Sequence, residues 1–221
     1  MGKPLHIFDM DETLVNGDCA SLWSAFLVKK GVVTDPDYLA TDQVLMEQYA
    51  KGELDMEEYI VYTLAPITHI PQHEIDSLVD EFVQTNILPL VFPEALTLVK
   101  SLKESGIACL VISATVTFIV KRVAEAIGIE EALGIELVSK DGCYFNQVTG
   151  IATYREGKIL RLQQWLTEQK NTFDEIHFYS DSINDLPLCE YADYAYLVNP
   201  CERLSAEALK HPDWQIFEWG S

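Results

Sequence analysis

The sequence predicts an α/β protein built on a parallel sheet, with a block of helices inserted after its first strand. Three observations carry this reading. Short apolar runs recur along the chain and stop abruptly at polar residues, as buried strands do. Segments with apolar residues at helical spacing separate those runs, the alternation expected of a parallel sheet covered on both faces. Residues 14–90 break the rhythm, with helical spacing and no convincing strand.

Taken in order, the first strand is Leu5-His6-Ile7-Phe8, ending at Asp9-Met10-Asp11-Glu12-Thr13. The inserted block shows helical patterns over 22–28, 39–49, 57–64 and 74–83. Pro93 suits the first turn of a helix that presents Leu96, Val99 and Leu102 and stops at Gly106. A second strand over 107–112 ends at Ser113. Ile119, Val120, Val123 and Ile127 continue a helical pattern to Gly128. Residues 135–138 form a weaker strand candidate. Asp141-Gly142 and Gly150, around Tyr144 and Val148, suggest a β-hairpin flap within 139–156. A helix over 158–169 carries Ile159, Leu162 and Leu166. Strands over 176–179 and 194–198 end at Ser180-Asp181 and Asn199-Pro200, and 215–217 is a last, weak candidate. The expected division is a core of residues 1–13 and 91–221 with a helical cap of 14–90.

The 221 residues are 48% hydrophobic and 23% charged. A chain of that size buries a core without structural disulfides or metal. It carries 35 acidic residues against 15 Lys plus Arg, a net charge of −20. That balance argues against nucleic-acid binding and against docking on an anionic membrane, and it favours solubility. Residues 1–90 hold 16 acids and four lysines, and no arginine precedes Arg122. Only four mostly apolar residues separate Pro4 from Asp9, so no secretion leader is expected. No run approaches the roughly 18 apolar residues of a membrane span. The five cysteines are odd in number, widely spaced and form no CxxC pair, as expected of reduced thiols in the cytoplasm.

Three strands end in reactive polar groups: Asp9 with Asp11, Ser113, and Asp181 with Asp185. In an open α/β sheet, ligands sit beyond the carboxyl ends of the strands. Four carboxylates meeting there repel one another unless a cation joins them. An oxygen-only set of this kind suits Mg2+.

These motifs resemble those of the haloacid dehalogenase-like (HAD) phosphohydrolases, closest to the phosphoserine-phosphatase-like branch. The DxDxT of Asp9 to Thr13 is followed in order by Ser113-Ala114-Thr115, Glu156-Gly157-Lys158 and Ser180-Asp181-Ser182-Ile183-Asn184-Asp185. The resemblance spans nearly the whole chain and implies a Rossmann-like core with a helical cap. It implies a Mg2+-dependent phosphatase acting on a small phosphorylated metabolite. Asp9 would be the nucleophile and Asp11 the general acid and base. Ser113, Thr115 and Lys158 would bind phosphate, with Lys158 also neutralising charge. Asp9, the backbone carbonyl of Asp11, and Asp181 would hold Mg2+. Asp185 would reach it directly or through water, and Asn184 would orient the site. A phosphotransferase using the same intermediate, or phosphoserine phosphatase proper, are the alternatives. A signalling receiver domain would lack the cap and the second aspartate of the motif. Monomer and homodimer are both compatible with the sequence.

Some residues depart from the family pattern or stand outside it. Glu12 replaces a small residue and is expected to face away from phosphate. Ser182-Ile183 stand where the phosphoserine enzymes favour glycine and alanine. Asp18, at the cap entry, matches an acid that meets the substrate ammonium in those enzymes. The arginine that holds the substrate carboxylate has no counterpart in the cap, whose cations are Lys29, Lys30 and Lys51. Lysine lacks arginine's planar fork, so a neutral or amine-bearing phosphate ester is expected rather than phosphoserine. His69 and His73 are spaced i, i+4 but Pro71 interrupts them, so no zinc site is expected. His6 and His177 are expected to pack within strands, and Trp214, Phe217 and Trp219 to cover the sheet edge. Arg155 is expected to be a solvated flap residue.

Overall fold

The computed structural model describes residues 3–220. Met1, Gly2 and Ser221, which the expected core includes, lie outside the described residues. Six parallel strands form the main sheet, in the order β3-β2-β1-β6-β7-β8. They are β1 (Lys3–Phe8), β2 (Ala108–Val116), β3 (Glu131–Ile135), β6 (Phe173–Ser180), β7 (Tyr194–Val198) and β8 (Gln215–Phe217). Two more strands, β4 (Leu137–Lys140) and β5 (Cys143–Val148), pair antiparallel as the hairpin.

Alternation along β1 sorts the core. Leu5 and Ile7 pack with Leu110, Phe178 and Leu197 on one face. Leu162 of α7 (Glu156–Glu168), Leu188 of α8 (Leu186–Tyr191) and Leu204 of α9 (Glu202–Ala208) close that face. Phe8, Val111 and Tyr179 point the other way, into the cluster built with α5 (Pro93–Glu104) and α6 (Thr117–Ile127). Burying each large apolar side chain contributes about 1.5–3 kcal/mol.

His6 and His177 lie opposite each other in the register, with their rings stacked at 4.2 Å. The His6 ring also hydrogen-bonds the Tyr179 hydroxyl at 3.1 Å. Burial, with His177 adding, pushes His6 down to about 4, so it packs as a neutral ring. On the last strands, Tyr196 stacks with Phe217, while Trp219 meets Phe92 edge-on and Trp214 stacks on His211.

Between β1 and α5 the chain forms α1 (Cys19–Lys29), α2 (Tyr38–Lys51), α3 (Met56–Leu64) and α4 (Gln72–Phe82). Asp18 caps α1, its carboxylate accepting the Ser21 N–H at 2.7 Å. Asp55 caps α3 in the same way through Glu57 and Glu58. Such caps contribute about 1 kcal/mol each. Crossings into and out of the block run side by side: Asn16 N–H donates to Leu90 O at 2.8 Å and Phe92 N–H to Leu14 O at 3.0 Å. The base of the block is fused to the sheet layer, because Trp23 of α1 packs edge-on against Phe82 of α4 and Phe118 of α6.

The structure corrects several sequence expectations. The second strand extends to Val116, so Ser113 and Thr115 lie within it rather than beyond it. The 135–138 candidate divides between two strands: Ile135 ends parallel β3, and Leu137 begins the hairpin. The sequence reading did not anticipate α8 and α9. His69 lies in a turn outside α4, and His73 lies inside it. Among the described residues the five cysteines are free, and no helix is long and apolar enough to cross a membrane.

Candidate active site

The carboxyl ends of β1, β2 and β6 bring the expected residues to one place. The first residue past β1 is Asp9, whose N–H is held by the Tyr179 carbonyl of β6 at 2.9 Å. Lys158 enters from the first turn of α7. Gly157 makes that entry possible, since a Cβ there would fall 2.0 Å from the Ala152 carbonyl oxygen. Just before it, Arg155 has a left-handed backbone at φ 52°. Such strain is tolerated where the surroundings enforce it and is common at functional sites.

Lys158 is 1% exposed and donates to Asp9 at 2.8 Å and to Asp185 at 2.7 Å. Ser180 supports Asp185 with a further 2.8 Å hydrogen bond. Burial works against the ammonium, but Asp185 and Asp9 outweigh it and hold Lys158 above its ordinary value. Asp9 is pushed up to about 8, chiefly by burial, with Asp185 and Asp11 adding and Lys158 opposing. Asp181 is raised well above the usual range by burial, then by Asp9 and Asp185. Thr13 donates to Asp181 at 3.2 Å.

Asp11 sits in a separate cradle. One carboxylate oxygen accepts the Cys19 N–H at 2.7 Å, at the start of α1. Its other oxygen accepts the hydroxyls of Ser113 at 3.1 Å and Thr115 at 2.9 Å. Both hydroxyls expected to meet phosphate are therefore turned to Asp11 here. Asn184 is turned too: its amide donates to Tyr49 O of α2 at 3.0 Å. Glu12 is exposed and left-handed, at φ 55°.

The donor set fits a hard divalent cation. Of the four carboxylates, Asp9 and Asp185 share one buried lysine, and burial and mutual repulsion make Asp9 and Asp181 reluctant to ionise. A cation between them would reverse that. Among the described residues, no three Asp, Glu, His or Cys side chains are drawn into a closed ligand cluster. The third oxygen expected at this site belongs to a backbone carbonyl, and Asp185 is committed to Lys158 and Ser180.

Over the site, Asp11, Asp18, Met46, Tyr49, Met56 and Tyr59 border a space of about 20 Å3. Asp18 is pushed up to about 7 by burial, with Asp11 adding and its bond from Ser21 opposing. The Tyr59 hydroxyl is buried and makes no hydrogen bond. Sequence reading missed Thr13, Ser180, Tyr49 and Tyr59 as site residues. Thr13 and Ser180 lie inside the motifs and were within reach. The tyrosines gave no signal, because an aromatic on a helix face reads as core.

Known proteins resemble this chain in sequence and in fold. The family model for haloacid dehalogenase-like hydrolases matches residues 7–190. A protein of Neisseria meningitidis serogroup C named histidinol-phosphatase is 36% identical over 98% of this chain and 99% of its own. A protein of unknown function from Bordetella pertussis has a solved structure that superposes with a TM-score of 0.90. It is 30% identical and covers 98% of this chain and 99% of that one. A phosphoserine phosphatase solved as a phospho-aspartyl intermediate analogue has a TM-score of 0.69 at 20% identity, covering 98% and 94%. That last likeness is one of fold.

Proposed function

This chain belongs to the haloacid dehalogenase-like hydrolase family and is a phosphatase; from that premise we propose that it hydrolyses small amine-bearing phosphate monoesters through a phospho-Asp9 intermediate, with Mg2+ as cofactor. The observation that carries the reading is the buried Asp9–Lys158–Asp185 chain beside the separately held Asp11.

In the first half-reaction a carboxylate oxygen of Asp9 attacks phosphorus, and the bond from phosphorus to the leaving oxygen breaks. Lys158 neutralises charge on Asp9 and on the transferring group. Asp11 gives its proton to the leaving alcohol. Ser113 and Thr115 turn from Asp11 to the phosphate oxygens. In the second half-reaction Asp11 takes a proton from water, the water oxygen attacks phosphorus, and Asp9 is released with inorganic phosphate. Mg2+, held by Asp9, the backbone carbonyl of Asp11, and Asp181, with Asp185 direct or through water, would supply charge neutralisation for the phosphate.

Substrate choice rests on Asp18 and on the missing arginine. The helical block offers an acid beside the reacting centre and no bidentate partner for a carboxylate. An amino-alcohol phosphate suits such a site better than an amino-acid phosphate. The name of the Neisseria relative, histidinol-phosphatase, points the same way. The test compares kcat/KM for histidinol phosphate, phosphoethanolamine, phosphoserine and a neutral sugar phosphate, in wild type and Asp18→Ala. Amine-bearing alcohol phosphates should lead, and Asp18→Ala should erase their lead. Phosphoserine as the best substrate would refute the argument from the missing arginine.

A further inference from the structure

We propose that Asn199 and Trp219 are positioning residues for Asp181, through which residues 217–220, outside the site, set how tightly the site grips Mg2+. The proposal rests on the reading of Asp181 as a Mg2+ ligand, and its test separates the two.

Asp181 is held at two points. Its carboxylate accepts the Thr13 hydroxyl at 3.2 Å, and its carbonyl accepts the Cys201 N–H at 2.9 Å. Cys201 ends the short loop that leaves β7, so the shape of residues 199–201 decides where that N–H stands. Asn199 has a left-handed backbone, at φ 43°, a region that asparagine visits more readily than most residues. Pro200 follows and restricts it further. A backbone of this kind persists only where its surroundings hold it.

Residues 217–220 are those surroundings. The Asn199 N–H donates to Phe217 O at 2.9 Å. Its side chain makes a two-way pair with Trp219: Oδ1 accepts the Trp219 N–H at 2.9 Å, and the amide donates to Trp219 O at 3.2 Å. The segment is pinned on its far side as well. The Trp219 ring meets Phe92 edge-on, with centroids 6.1 Å apart, and the Gly220 N–H donates to Glu94 at 3.2 Å. Gly220 is left-handed at φ 73°, and a Cβ there would fall 2.9 Å from the Phe92 ring. Phe92 in turn donates its N–H to the carbonyl of Leu14, the residue after Thr13. Both contacts that hold Asp181 therefore lead back to the Trp219 segment, one through Asn199 and one through Phe92.

Neither Asn199 nor Trp219 reaches the reacting atoms, so their effect is one of placement. Mg2+ demands near-octahedral geometry at short bond lengths, whereas Ca2+ accepts longer and less regular bonds. If the loop relaxes at Asn199, the Asp181 carbonyl loses its partner and the carboxylate beside it is less well aimed. That loss penalises Mg2+ more than Ca2+. Partners directly behind a metal ligand typically change metal affinity about 10- to 100-fold. Asn199 and Trp219 act one contact further out, so about threefold to tenfold is expected.

The test measures dissociation constants for Mg2+ and for Ca2+, each added alone, from the rise in Tm. The chains compared are wild type, Asn199→Gly, a chain ending at Glu218, the two changes combined, and Asp181→Ala. Glycine keeps the left-handed backbone and removes both side-chain bonds. Ending at Glu218 removes Trp219 and leaves Asn199 in place. Each should weaken Mg2+ by about threefold to tenfold and Ca2+ by less than about twofold. The combined variant should be no weaker than either alone, because both changes break the same pair. A Mg2+ constant that stays at the wild-type value in both variants while Tm without metal falls overturns the proposal and leaves the segment a structural role only. Equal weakening of the two metals overturns it too. Unchanged Mg2+ binding in Asp181→Ala overturns the ligand reading itself, and the proposal with it; a loss confined to Asp181→Ala overturns the proposal alone.

Discussion

Lys158 is the buried cation shared by Asp9 and Asp185, and each of the three keeps its charge through the others. Replacing it by Met leaves Asp9 and Asp185 buried without their shared partner. Breaking a buried pair in this way costs about 3–5 kcal/mol, so Lys158→Met should unfold at a clearly lower temperature in calorimetry and lose phosphatase turnover. Asp9→Asn should behave differently. The amide cannot form an acyl phosphate, so turnover should vanish while circular dichroism stays that of the wild type; near-normal activity would sink the covalent route. Asp9 and Asp185 were legible in the sequence because polar groups at strand ends stand out against apolar runs, whereas Lys158, on a helix, was legible only through the resemblance of Glu156-Gly157-Lys158 to a family motif. What the sequence did not reveal is where the side chains around them point. Ser113, Thr115 and Asn184 are turned to Asp11 and Tyr49, and such choices depend on partners far away in the chain.

Among the elements, the α7 entry is the most constrained. Gly157→Ala would drive a methyl carbon into the Ala152 carbonyl at 2.0 Å, so the turn must shift and carry Lys158 with it. The variant should lose most of its kcat while remaining folded, and a wild-type kcat would show that the turn can relax. Strands were readable: the run 194–198 matches β7, and the weak candidate 215–217 matches β8. The second strand ran past its apolar stretch because Ser113 and Thr115 are buried by the site, not by the core. Edge strand β3, Glu-Ala-Leu-Gly-Ile, lacks a run of β-branched residues and gave little signal. The short helices α8 and α9 have too few turns to show a periodicity.

For the whole molecule, the acidic excess makes stability depend on pH and metal. Asp9 is held up to about 8 and Asp18 to about 7, both chiefly by burial, against an ordinary 3.8. The folded chain therefore keeps protons that the unfolded chain has released. That contribution is complete below about pH 4 and is lost as the pH rises through 7 and 8. In excess EDTA, Tm should fall across that window, and Asp9→Asn should flatten part of the fall; parallel profiles would contradict it. Adding Mg2+ should raise Tm more at pH 8 than at pH 5, and hydrolysis should stop in chelator, with Ca2+ a poor replacement. An unchanged Mg2+ titration in Asp181→Ala would remove Asp181 from the proposed ligands.

The side-by-side crossings at Asn16–Leu90 and Leu14–Phe92 bear on how such a protein can change over generations. An excursion whose two ends are already bonded together can be exchanged as a cassette without rethreading the sheet. Its replacement needs only the same two-stranded stem and aromatic rings that seat against Phe118. New chemistry at the leaving group can then be acquired in one recombination, while Asp9, Lys158 and Asp185 are inherited untouched.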